Sequence, residues 1–372
     1  MTYKGENHHR LLLNALINPS SLVEYNAANW ELLLRLARKV KLLGHLAIEL
    51  GNRGLLDQIP ARLSNQLRSS LIQAKKLQQL THWELNRVSW ALQDMDIPVL
   101  ALKGVAYSLA KLPESGGRIY VDLDIMVPKD SLADVESALM KKGWVHHNKL
   151  SAYDDHYYRA WSHEIPPLVH TERETEVDIH HTISPPTSRL KINAGLLFEA
   201  AVTTGNSGYR IPCPADMVLH CAVNLFQNNE LADDLRDLLD LHNLMLFFSG
   251  KEQDFWKKLT ERANQLHLGK SLFHGFYFSR LIFQTPIPEN TENNLNEKPG
   301  TISRWIMHYL VPQALFPLHP DKPSKRAMAA RLLLYLRSHW IRMPIHLLLP
   351  HLAYKTYLAI FAGKAVTVKL KK

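Results

Sequence analysis

Cysteine is nearly absent: Cys213 and Cys221 are the two in 372 residues. Two are too few for a disulfide framework, and neither has a partner at metal-ligand spacing, so a reducing compartment is expected. No apolar run reaches the roughly 18 residues that a membrane-crossing helix needs. The first ten residues lack the apolar stretch of a signal peptide. The cytoplasm is the expected location, and no internal repeat stands out.

What is present describes an ordinary globular chain, 46% hydrophobic and 21% charged. The length fits two packed domains, or one α/β domain with helical extensions. A net charge of +9 suits nucleic acid, an anionic membrane face or a polyphosphate substrate without choosing among them. The twenty histidines are scattered.

Residues 1–95 are expected to be a helical region, with near-3.6 periodicity in Leu11 to Leu13 and Leu33 to Leu36 and punctuation at Pro19, Gly51 and Gly54. The texture changes at Asp96. Residues 97–102 are a short apolar run typical of a buried strand, ended by Lys103 and Gly104, with a helical pattern after it. A Gly-rich loop at 113–117 leads through Arg118 into 120–127, which alternates: Val121, Leu123, Ile125 and Val127 face one way, Asp122 and Asp124 the other. Residues 129–142 predict an amphipathic helix closed by Gly143. Segments 144–147, 157–164, 168–171 and 175–183 are expected as strands. In the last, Glu176, Asp178 and His180 share a face opposite Val177, Ile179 and His181. This places a compact core at 96–185, a helical region packing on it at 186–285, a linker or exposed loop at 286–300, and a basic helical region at 301–372. The clearest later helices are 216–227 and 231–248.

Two aspartates two apart on a strand project from one face. Like charges side by side need a cation or strong donors to compensate, and a hard divalent ion accepts carboxylate oxygens readily. Asp178, between apolar Val177 and Ile179, supplies a third carboxylate able to complete the site. Glu176 has the same parity; its place beside the turn at Arg173 and Glu174 favours Asp178 over it. The plain alternative for Asp122 and Asp124 is a solvated sheet face. Context argues for chemistry: Gly104 at a strand-to-helix turn permits close backbone approach, the helix start favours phosphate, and Lys103 and Arg118 offer charge-assisted contacts.

These stretches, Val99 to Gly104, Arg118, Val121 to Val127 and Val177 to His180, resemble the uncharacterised nucleotidyltransferase family within the DNA polymerase β-like superfamily. Leu219, His220, Arg236 and Asp240 resemble its helical part. The resemblance spans about 30–250. It implies an α+β fold, a small mixed sheet with helices on one face, flanked here by helical N- and C-terminal regions. It also implies Mg²⁺-dependent transfer (Mn²⁺ as a substitute) of a nucleoside monophosphate from an NTP such as ATP, with Asp122, Asp124 and Asp178 as metal ligands. Lys103, Gly104 and Arg118 would then handle the triphosphate. In one departure, Val105 follows Lys103 and Gly104 where most of the superfamily has Gly-Ser or Gly-Gly. The acceptor, whether small molecule, protein or RNA, stays open.

Two rivals are carried: a metal-dependent glycosyltransferase using Asp-x-Asp for a nucleotide sugar, and a non-catalytic nucleotide-binding protein that recruits a partner. Arg236 and Asp240 are expected as an i,i+4 surface pair, with a tether between helices and sheet as the other option. His163, His170, His180 and His181 fit no zinc signature, though His180 shares the face of Asp178. The basic stretch 325–372, with Trp340 and Lys369 to Lys372, is expected to pack on the core; peripheral membrane contact is the less favoured option.

Overall fold

The computed structural model describes residues 5–120, 122–146, 151–204 and 208–361. Val121, expected in the central strand, and Lys369 to Lys372 lie outside the described residues. The N-terminal region forms α1 (Asn7–Ile17), α2 (Ala27–Lys39), α3 (Leu43–Asn52) and the long α4 (Ala61–Ala91). The Asn26 side chain caps α2 by accepting from the Asn29 amide at 2.9 Å. Trp30, Leu33, Leu34 and Ala37 form its buried stripe.

After α4 come β1 (Leu100–Ala101), α5 (Lys103–Leu109), β2 (Leu123–Met126), α6 (Leu132–Met140), β3 (Trp144–His146), α7 (Ala152–His156), β4 (Leu168–His170) and β5 (Glu176–His180). Then follow α8 (Ala194–Glu199), β6 (Val202–Thr203), β7 (Arg210–Ile211) and α9 (Pro214–Val223). The seven strands make one mixed sheet in the order β3-β4-β5-β2-β1-β7-β6. Two of its strands therefore come from beyond residue 185. Leu123, Ile125, Val177 and Ile179 are buried in the core; α4 and α5 pack on β2, and α6 on β3. Alternation sends every second side chain the other way. The fold is α+β with flanking helical regions, as expected.

α10 (Leu235–Lys251), α11 (Phe255–Gln265), α12 (Gly269–Phe283), α13 (Thr301–Leu315), α14 (Lys325–Arg342) and α15 (Ile345–Phe361) complete the chain. The connection at 286–300 is pinned by buried Ile287 and Leu295 and by the Arg280–Glu292 ion pair.

Three local expectations need correction. Residues 157–164 are not a strand: Ser151 caps α7, and Tyr157–Trp161 continue it as a π turn. The aromatic side chains that read as strand formers serve packing instead, Tyr157 stacking on His351 at 5.0 Å. The helix expected from 231 begins at Leu235, because Leu231 and Asp233 adopt left-handed backbone. Arg236 and Asp240 do not pair with each other: Arg236 bonds its neighbour Asp237, and Asp240 bonds Arg118. That second contact is a tether between α10 and the loop before β2.

The same loop is set by a backbone crossing. A Cβ on Gly117 would come within 2.7 Å of the Gly44 carbonyl carbon and oxygen, so α3 and the 3₁₀ turn Pro113–Gly117 touch without side chains between them. Gly117→Ala is expected to cost about 1–3 kcal/mol by overpacking. A denaturant midpoint equal to the parent's would show that the crossing relaxes freely.

Candidate active site

The site begins with strand register. β2 and β5 run parallel, pairing Asp124 with Asp178 and Met126 with His180. Paired residues on adjacent strands share a face and sit about 5 Å apart, so the two carboxylates are neighbours by construction. Asp122 precedes β2 at a bend and is half-buried.

Asp124 is 3% exposed. Lys103 Nζ lies 2.5 Å from its Oδ1, and His180 Nε2 lies 3.0 Å from the same oxygen. Burial alone would raise its pKa, but Lys103 and His180 hold the carboxyl well below the usual range. Burial likewise opposes the Lys103 charge, yet Asp124, Glu164 and Asp122 hold it above the ordinary lysine value. Asp178 has no such bonds, and the field of Lys103 offsets only part of what opposes its charge. Burial, then Glu164, Asp124 and Asp122, push its carboxyl well up, and its Oδ1 is buried with no hydrogen-bond partner.

The backbone that delivers Lys103 is unusual. Its φ is +48°, a left-handed conformation at a non-glycine residue. Strain of this kind persists where surrounding structure enforces it. Here the Lys103–Asp124 bond and Gly104 do so. A Cβ on Gly104 would lie 2.6 Å from Arg118 Nε and 3.2 Å from Tyr120, so glycine lets the arginine lie flat on the turn. Arg118 also stands over the Tyr107 ring, 5.5 Å from its centroid, and pairs with Asp240.

The expected residues thus fall into two groups. Asp122, Asp124, Asp178 and Lys103 converge. Gly104 and Arg118 adjoin them, with the Arg118 guanidinium turned toward Asp240. His180 bonds Asp124, whereas the sequence pairs it only with Asp178 by parity. His170 contacts Arg173 and His181 faces the Ser162 carbonyl, both away from the carboxylates.

Four neighbours were not foreseen at the site. Glu164 bridges to His180, with Oε2 3.6 Å from its Nε2. His163, Glu164 and His180 bring ligand atoms within 4.8 Å of one another, a group able to hold a metal ion. Arg236 stands close enough to Asp122 for that carboxylate to raise its pKa, although burial opposes and Asp237 contributes more. His220 of α9 is buried; burial, then Lys103 and His180, push it down to about 3. No pattern marks Glu164 in the sequence, because the helical turn before it reads as strand. For His220 and Arg236 the family resemblance is the signal.

Donor chemistry fits a hard divalent cation: oxygen donors from Asp122, Asp124 and Asp178, one of them buried and unpaired. The nearby imidazoles would also admit a borderline metal.

A family model described as uncharacterised nucleotidyltransferase matches residues 26–284. No curated protein matches the chain, and no solved structure does.

The exposed consequence of this geometry is electrostatic. The folded state raises the pKa of Asp178, so it is penalised once pH exceeds the ordinary carboxylate range, where the unfolded chain ionises freely. Asp178→Asn is expected to raise the melting temperature of chelator-treated protein by a few degrees at neutral pH. The gain should vanish in acid, where the carboxyl is protonated in both states. A loss of stability at neutral pH would show that Asp178 is paired in the metal-free fold.

Proposed function

The chain belongs to the uncharacterised nucleotidyltransferase family, and from that premise we propose that it transfers a nucleoside monophosphate from an NTP to an acceptor nucleophile. The observation that carries this reading is the in-register pairing of Asp124 with Asp178 beside Asp122 and Lys103. Asp122, Asp124 and Asp178 would hold Mg²⁺, with Mn²⁺ as a substitute. When bound, the ion supplies positive charge to the triphosphate.

In this reading the acceptor oxygen or nitrogen attacks the α-phosphorus, the bond to the β,γ-pyrophosphate breaks, and pyrophosphate leaves. Asp178, ionised once a cation is held beside it, would be placed to take the acceptor's proton. Lys103 presents its ammonium to phosphate oxygens, and Gly104 allows the backbone to approach them. Arg118 enters through the Gly104 backbone on which it lies, while Arg236 is a further cation on the side of Asp122. His180 is a positioning residue, holding the Asp124 oxygen.

Incubating purified protein with each radiolabelled NTP, Mg²⁺ or Mn²⁺ and a cell extract tests the reading, with UDP-sugars as the competing donors. Label is expected to pass from an α-labelled NTP to an extract component. Transfer from a UDP-sugar alone would replace the reading with glycosyl transfer. Asp122→Asn, Asp124→Asn and Asp178→Ala should each abolish transfer with the fold intact, whereas Glu176→Ala keeps most of it. Near-normal turnover in any of the first three would remove that residue from the metal site, and loss with Glu176→Ala alone would move the third ligand there. Lys103→Ala should weaken NTP binding more than nucleoside binding in a titration. Equal weakening of both would count against a phosphate contact.

A further inference from the structure

We propose that the solvent face of α13 and α14 is a docking surface for an anionic lipid bilayer, met from one side without crossing. The reasoning starts from α13, which is apolar on two opposite sides. Met307, Leu310, Val311 and Leu315 are buried against the body of the protein. Ile302, Trp305, Ile306 and Tyr309 follow i, i+3, i+4, i+7 spacing on the opposite side and are 78, 71, 40 and 53% exposed. α14, which packs against α13, repeats the arrangement. Ala330, Leu334 and Ser338 point inward, while Met328, Leu332, Leu336 and Trp340 step outward every four residues. Of the 22 large hydrophobic side chains exposed among the described residues, twelve lie between Ile302 and Tyr357. Such concentration on a minor part of the chain marks an interaction surface rather than ordinary scatter.

Charge identifies the occupant. Residues 301–372 hold twelve of the 44 Lys and Arg but one of the 35 Asp and Glu. The whole net positive charge of the protein therefore resides there, and the remainder is slightly acidic. The single acid, Asp321, is bound by both terminal nitrogens of Arg35 at 2.7 and 2.9 Å. A second copy of this face would set like charges against each other. Nucleic acid would be met by cations and stacking rings, yet the outward positions are largely aliphatic. Arg331 and Arg337, moreover, turn inward to Asp233 and the Phe226 carbonyl. Exposed Arg304, Lys325 and Arg326 lie beside the apolar positions. Aliphatic side chains flanked by tryptophan and basic residues suit the boundary between acyl chains and anionic headgroups. No helix among the described residues is long and apolar enough to cross a membrane.

Flotation of the full chain with vesicles tests this. Phosphatidylcholine vesicles with and without phosphatidylglycerol are compared at low and high salt. The protein is expected to float with the anionic vesicles at low salt, and several-fold less with neutral ones or at high salt. The double variants Ile302→Ser/Trp305→Ser and Leu332→Ser/Leu336→Ser should each lose most of that binding. Their circular dichroism and gel-filtration profiles should not change, since the side chains replaced are exposed. Four results would overturn the proposal: no flotation with either vesicle; undiminished flotation of both variants; a parent dimer that the variants convert to monomer; or RNA binding that the variants lose instead.

Discussion

Everything at the candidate site follows from one electrostatic constraint: parallel pairing of β2 and β5 sets buried Asp124 beside Asp178, which is half-buried with its Oδ1 shut off from water. Two buried carboxylates cannot both be ionised cheaply without positive charge nearby. The protein resolves the conflict unequally. Asp124 bonds Lys103 and His180 and is kept ionised, while Asp178 bonds neither, feels Lys103 less than it feels burial and the three acids, and is driven toward its neutral form. Inequality of this kind separates a fixed anchor from a group free to exchange a proton or accept a cation. Asp122 and Glu164 deepen the negative field, so added positive charge has a favourable place to bind.

The surrounding structure serves that inequality. Lys103 reaches Asp124 from a left-handed backbone position, immediately before Gly104. Arg118 lies across that glycine and is held in turn by Asp240 of α10. The helical region is thereby coupled to the turn that aims the ammonium. A buried pair of this type is weak evidence for net stability but strongly resists loss of one partner. Its value here is positional: it fixes Arg118 across the turn that carries Lys103.

Alternation made the central part legible in sequence. Apolar Leu123, Ile125, Val177 and Ile179 specify which face is buried, and parity then assigns Asp124 and Asp178 to the other. Gly143, with φ of +101°, closes the α6 segment where the sequence places a cap. What stayed hidden depends on contacts distant in the chain. The partner of Arg118 is 122 residues away, and His180 shows its own strand's parity but not the oxygen across the ladder that it binds. Tyr157 and Trp161 misled because aromatic residues favour strands as well as packed helical turns. With that segment misread, Glu164 had no visible route to His180. The short β6 and β7 carry two residues each, too few for a periodicity to register.

The carboxylate site and the α13–α14 face obey different rules of burial. Around the carboxylates, polar groups are withdrawn from water and matched in charge, so small changes of position alter charge strongly. Along α13 and α14 the reverse holds: apolar side chains stand in water although their helices already have a buried face. That second apolar face adds nothing to the protein's own core. Since solvation of large apolar side chains is unfavourable, its presence is best understood through a contact outside the chain. Because Arg331 ties α14 to Asp233, and Asp233 lies just before α10, that face and the carboxylate site are joined through adjoining elements.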